Sequence, residues 1–319
     1  MRKPRVLVTS GDPGGVGPEL ILRALADPEI SGLAEFTVLG DPAGFRREAE
    51  ALGAPLPRIR PAGGPAPVPV GRPSADGGHA AVAAVRAAAG LMAGHEADSL
   101  VTAPVSKEAL RLAGYPWPGQ TEMLADLCQA HGLRVLLMAG PLRVVHVTAH
   151  RSLRDAADAV TRASVLRTIE LADEFGRRLA GRPPRVAVAG LNPHAGERGI
   201  LGTEDEEAIR PAVEDARARG IDASGPASAD TLFPRAAAGQ ADLVVAMYHD
   251  QGHIPVKLLS PDDGVAVTLG LPFLRAAPDH GAAFDRAGTR TASAESMKAA
   301  LRAASQLAGR GPAAVRGAR

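Results

Sequence analysis

The sequence predicts an α/β protein, and three observations carry that prediction. Short β-branched runs alternate with Ala- and Leu-rich stretches of helical spacing, the pattern of parallel strands joined by crossover helices. The 319 residues, 45% of them hydrophobic, suffice for one large α/β unit or two domains without disulfide reinforcement. Finally, His150, His194 and His249 each close an apolar run at a polar turn, in VVHVTAH, VAVAGLNPHAGE and LVVAMYHDQGH. In an open α/β sheet such strand ends border the ligand crevice.

Taken in order, β-branched runs predict strands at 5–9, 36–40, 99–103, 135–139, 144–148, 185–189, 243–247 and 265–269. The first helix, 18–26, opens with Pro18 in its first turn. Helices follow at 80–93, at 107–113 behind Ser106 and Lys107, and at 122–131 behind Thr121. Over 153–180 the positions Val160, Val165, Ile169, Leu171, Ala172 and Phe175 keep helical spacing and predict one long helix packed on the sheet. Two more are expected at 204–219 and 294–307. The segment 54–78 is too rich in Pro and Gly for a helix and reads as a surface connection, with Val68 and Val70 as a brief edge strand. The final RGPAAVRGAR has no periodicity and reads as frayed.

Lys and Arg total 36 against 35 Asp and Glu, a net charge of +1, so no overall basic field draws nucleic acid or an anionic membrane. No apolar run approaches a membrane span, and the start, MRKPRVLVTSGDPGG, has too short an apolar stretch for a secretory signal. The single Cys128 has no internal partner for a disulfide. These features fit a cytoplasmic protein that handles small molecules.

The motifs have competing readings. GDPGGVGPEL, after the first strand, is either a phosphate cradle or a tight turn; its glycine spacing matches neither the dinucleotide fingerprint nor the P-loop. Thr121 is either a site residue or a helix cap. Any one histidine is most simply packed or solvated, and His146 shares a strand face with His150. Together, however, His150, His194 and His249 bring polar company: Arg151 and Ser152, Asn192 and Glu197, Asp250 and Gln251. Nitrogen ligands suit zinc, cobalt, nickel or manganese. Asp230 and Asp250 are candidate outer carboxylates or cap acids. Lys257 and Arg275 supply cations for an anionic substrate, and Asp279, His280 and Gly281 form a polar turn suited to a cofactor.

GDPGGVGPE, TAPVSK, GQTE, LNPHAGE, SADTLF, YHDQGHIPVK, TLGLPF and DHGAAFD span residues 11 to about 288. In that order they resemble the motif series of the 4-hydroxythreonine-4-phosphate dehydrogenase family of pyridoxal phosphate biosynthesis. The resemblance implies an isocitrate dehydrogenase-like fold of two α/β/α domains with a central cleft, 1–118 plus 282–319 and 119–281, the second carrying most of the metal site and the dimer interface. It implies a homodimer, NAD or NADP, and one divalent metal (zinc, magnesium, cobalt or manganese) on His150, His194 and His249, with His249 from the opposite subunit. Substrate contacts fall on Gln120, Thr121, Lys257 and Arg275, the proton shuttle on Lys257 or Asp230, and cofactor contacts on Asn192, Asp279, His280 and Gly281.

The implied reaction oxidises 4-hydroxy-L-threonine 4-phosphate at C3 and decarboxylates the product. This chain departs from the family pattern at Gln120, where GHTE is common, and at Ala266, where Asn is common. Neither replacement exchanges a proton near neutral pH. His253 and IPVK look more like the branch that oxidises D-threonate or D-erythronate 4-phosphate. Two further readings are an acyl- or phosphate-transferring enzyme on a related scaffold and a binding protein without turnover.

Overall fold

The computed structural model describes residues 2–260 and 264–308, and the terminal RGPAAVRGAR lies outside them. Among the described residues the strands are β1 (Arg5–Thr9), β2 (Glu35–Gly40), β3 (Ile59–Pro61), β4 (Ser99–Thr102), β5 (Arg134–Ala139), β6 (Leu142–His146), β7 (Val186–Ala189), β8 (Ala223–Ala227), β9 (Leu243–Ala246), β10 (Val265–Leu269) and β11 (Arg275–Pro278). They fall into two compact units, one built from the chain up to His131 and again from Leu271, the other from Gly132 to Gly270.

The first unit orders its strands β3-β2-β1-β4-β11, every pairing parallel. Parallel strands are covered on both faces and therefore read as continuous apolar runs. Ser99–Thr102 is buried throughout. The helix Ala75–Ala93 sets Val82, Val85, Leu91 and Met92 into one cluster with Leu7, Leu39, Leu100, Leu110, Met123 and Leu124. Burying each such side chain is worth roughly 1.5–3 kcal/mol. Met123 and Leu124 explain why the units divide at 131/132 and not at the expected 118/119: the helix Gln120–Leu127 belongs to the first core. Likewise β11, unexpected from the sequence, pairs with β4, so the return crossing comes at 270/271 and not at 281/282.

The second unit runs β10-β5-β6-β9-β7-β8. β6, β9, β7 and β8 are parallel, but β5 is antiparallel to both β6 and β10. The expectation of parallel strands fails here because only Gly140 and Pro141 connect β5 to β6, pairing Ala139 with Leu142. A parallel return needs a crossover of a dozen or more residues, and a two-residue turn permits only a hairpin.

Three further differences have local causes. The expected helix over 153–180 is two, Leu153–Asp158 and Arg162–Ala180, because Thr161 and Ser164 form a reciprocal capping box that starts the second. Over 204–219 the chain begins as a π turn, Asp205–Ile209, ahead of the helix Arg210–Ala218, where Pro211 has no N–H to give. The edge strand is β3, whereas Val70 is exposed.

Candidate active site

In the first unit the substrate candidates gather at the end of β4. Arg275, at the start of β11, is 6% exposed and donates through Nε and Nη2 to the Thr102 hydroxyl at 2.9 and 2.6 Å. Burial pulls its pKa down to about 10, so the guanidinium stays charged at neutral pH. Gln120 donates from Nε2 to the Ala103 carbonyl at 2.9 Å, and its Oε1 is buried without a partner. Thr121 lies in the first turn of the helix Gln120–Leu127, but the cap position is Gly119, so the capping alternative for Thr121 does not hold.

The glycine-rich turn is a tight turn by its packing. A Cβ on Gly11, at φ +69°, would stand 2.3 Å from the Pro104 carbonyl oxygen, and the Val16 N–H is spent on the Ala282 carbonyl at 2.9 Å. That last bond sets the Asp279–Gly281 turn beside it. Here the His280 ring nitrogen Nδ1 lies 3.0 Å from the Gly281 carbonyl. A cavity of about 190 Å³ within the same unit is lined by Ser10, Gly15, Asp41, Phe45 and Gly288 among others.

In the second unit a cavity of about 290 Å³ is lined by Thr148, His150, Arg151, Tyr248, His249 and Asp250 among others. His249 was expected in a polar turn; it instead opens a helix, His249–Leu259, whose interior Pro255 masked the helical pattern. The His150 and His249 rings lie 5.6 Å apart between centroids. Asp250 Oδ1 is 2.6 Å from His249 Nδ1, so the ring gives its Nδ1–H to a carboxylate that fixes it, and the Nε2 lone pair is left to bind an ion.

Below this pair, His249 stacks on His253 at 3.6 Å with 12° between planes, and His253 meets His146 at 4.6 Å. The helix start passes so close that a Cβ on Gly252 would be 2.3 Å from His146 Nε2. Sequence reasoning missed this imidazole series, although the spacing of His249 and His253, one helical turn apart, carries the signal.

His146 is 1% exposed, and burial, aided by His253, lowers its pKa to about 3. The folded protein thus resists protonation of a group that the unfolded chain protonates near pH 6.5. His146 therefore contributes stability that is complete above about pH 6.5 and is lost as pH falls toward 3. In an NMR titration of metal-free protein, the His146 ring should remain neutral at pH 5; titration near 6.5 would contradict this packing.

His194 lies on a different segment, after β7. From His194 to Arg198 every residue has positive φ, 54°, 52°, 76°, 43° and 59°, and His150 also sits at φ 49°. Left-handed backbone costs side-chain-bearing residues about 1–2 kcal/mol each and concentrates at functional sites. Asp230, exposed in the first turn of the helix Ala229–Ala237, is near enough for the His194 imidazole to act on it. Its pKa is lowered chiefly by the Ser228 hydroxyl at 2.6 Å, with His194 adding to the effect. Lys257 lies exposed in the last turn of the helix that begins with His249. Asn192 spends its amide hydrogens on Glu204 and Asp205, at 2.8 and 3.1 Å, so it serves the His194 loop.

Imidazoles facing one cavity, one of them oriented by a carboxylate, fit a borderline divalent ion. Among the described residues, no group of three such ligands assembles within a single chain.

Residues 34–304 match the family model described as pyridoxal phosphate biosynthetic protein PdxA. The chain belongs to the PdxA family. It is 46% identical to the 4-hydroxythreonine-4-phosphate dehydrogenase of Geobacter metallireducens, over 96% of each chain. It is also 42% identical to the D-threonate 4-phosphate dehydrogenase of Salmonella typhimurium, over 97% of this chain and all of that one. A 4-hydroxythreonine-4-phosphate dehydrogenase structure from Klebsiella pneumoniae superposes with a TM-score of 0.88 at 40% identity, covering 96% of this chain and 98% of that one. A β-decarboxylating dehydrogenase from Thermococcus kodakarensis, at 15% identity and TM-score 0.51, covering 95% and 82%, shares the fold. No helix among the described residues is long and apolar enough to cross a membrane.

Proposed function

We propose that this PdxA-family chain is a metal- and nicotinamide-dependent dehydrogenase that oxidises 4-hydroxy-L-threonine 4-phosphate at C3 and releases carbon dioxide to give 3-amino-2-oxopropyl phosphate. The observation that carries this reading is the 46% identity across the whole chain to an enzyme of that name. The His150–His249 cavity supplies a place for its chemistry. When bound, a divalent ion on His150, His194 and His249 would acidify the substrate hydroxyl and polarise the ketone, and the nicotinamide would take the C3 hydride.

The chain's own residues do the rest. Arg275, with Gln120 and Thr121 nearby, holds the phosphate and fixes the substrate's register. Asp230, held ionised, suits orientation of His194 better than proton transfer, which leaves Lys257 to return a proton to C2 after decarboxylation. The cavity at the ends of β1 and β2 suits the adenosine end of the cofactor, and the Asp41 carboxylate there favours a ribose hydroxyl over a 2′-phosphate, hence NAD over NADP.

The resemblance assigns the site to a homodimer, and exposed apolar residues support that assignment. Ile254 and Leu258, 56% and 80% exposed, share one face of the His249–Leu259 helix, and Leu153, Ile200 and Leu201 are exposed on the segments that carry His150 and His194. With His150 and His249 of one chain facing one cavity and His194 on another segment, the ion would draw ligands from two chains, with His194, rather than the His249 that the resemblance implied, as the partner's contribution. Leu258→Glu should shift the protein to monomer and cut activity at least tenfold while leaving the monomer's melting temperature nearly unchanged. Light scattering and activity on one sample check this.

A second reading, oxidation of D-threonate 4-phosphate, has its support in Gln120 and in the stacking of His253 under His249. Assaying NADH formation from both phosphorylated acids, with NAD and NADP and several metals, separates the readings. Turnover of the sugar acid alone would replace the first by the second.

A further inference from the structure

The loop that presents His194 is held at its base. Four of its five left-handed residues carry side chains and make an expensive backbone, and such a conformation persists only where the surroundings impose it. Asp205, wholly buried, accepts the N–H of Leu191 at 2.9 Å, the N–H of Asn192 at 3.1 Å and Asn192 Nδ2 at 3.1 Å. Glu204 takes Asn192 Nδ2 as well, at 2.8 Å. All three groups facing Asp205 are donors, so the position calls for an acceptor-only side chain.

The other side of the same base is gripped by Gln251. Its Nε2 donates to the Gly190 carbonyl at 2.7 Å and its Oε1 accepts the Met247 N–H at 2.6 Å. Gln251 lies in the first turn of the helix that His249 opens. One amide therefore ties the strand end leading to His194 to the turn that presents His249, and it does so with both of its functional ends.

We propose that Asp205 and Gln251 are positioning residues of the metal site: Asp205 imposes the left-handed loop that aims His194, and Gln251 fixes that loop's base against the His249 turn. This rests on the reading of His150, His194 and His249 as ligands. Neither side chain touches the ion. Both act through hydrogen bonds that remove the freedom of the ligand-bearing backbone, the role that outer partners of metal ligands generally play. Asp205→Asn turns an NH₂ toward donors, and Gln251→Glu turns a carboxylate oxygen toward the Gly190 carbonyl.

The test is a titration of cobalt(II) into the metal-free full-length protein, followed by visible absorption, for wild type, Asp205→Asn and Gln251→Glu. Both variants should bind cobalt about 10- to 100-fold more weakly, with shifted ligand-field bands. The melting temperature of metal-free Gln251→Glu should stay close to that of wild type. Should Asp205→Asn fail to fold, Gln251→Glu decides alone, because its side chain is only half-buried at a helix start. Wild-type affinity and spectrum in Gln251→Glu and in any folded Asp205→Asn would overturn the proposal. Absence of cobalt binding by wild type itself would overturn the ligand assignment, and the positioning role with it, an outcome distinct from wild-type binding retained by the variants.

Discussion

His194→Ala is expected to lower metal affinity more than about a hundredfold, beyond the effect typical of an outer partner, and to abolish NADH formation with the fold intact. The reason lies in the contrast between what the residue costs and what it touches. His194 is exposed on a loop, so little apolar area is lost on truncation. The base of the loop stays held by Asp205, whose bonds to the Leu191 and Asn192 N–H groups do not involve the His194 side chain. Metal content after gel filtration, with NADH absorbance on the same sample, checks the claim. A metal-free variant turning over at the wild-type rate would remove His194 from the site.

Arg275→Gln should raise KM for the phosphorylated substrate and cut kcat/KM about thirtyfold or more, with NAD binding unchanged. Truncating a buried, hydrogen-bonded charge typically costs 2–5 kcal/mol of binding, and Arg275 is a guanidinium fixed by two bonds to Thr102 and still charged at neutral pH. Gln keeps hydrogen-bonding capacity toward Thr102 but loses the fork and the charge that suit a phosphate. Initial rates across substrate concentration, with cofactor titration by fluorescence, separate the two effects. An unchanged KM would show that Arg275 serves packing alone.

Much of this architecture is legible in the residues because strands buried on both faces leave unbroken apolar runs. β1 and β10 fall where their runs predict, and β4, β7 and β9 end within a residue of prediction. β3, β8 and β11 went unseen because IRP, ASGPA and RAAP hold little β-branched character, and their pairing is set by neighbours far away in sequence. The helix His249–Leu259 was hidden by Pro255 and by polar residues that read as a turn.

The candidate site divides in the same way. Arg275 and Gln120 both bond to the end of β4, and His150 and His249 share a cavity. What no local pattern carries is the left-handed path of His194–Arg198, whose base is held by a buried carboxylate eleven residues after His194 and by Gln251 from another element. The His146–His253–His249 stacking is likewise a product of strand β6 and a helix meeting in space.

The most direct measurement is anomalous diffraction at the zinc edge from crystals of the metal-loaded protein. The account predicts one peak per site, within coordination distance of the imidazole nitrogens of His150, His194 and His249 contributed by two subunits. An ion bound elsewhere, or these three rings too far apart in the assembled protein to share one, would contradict it.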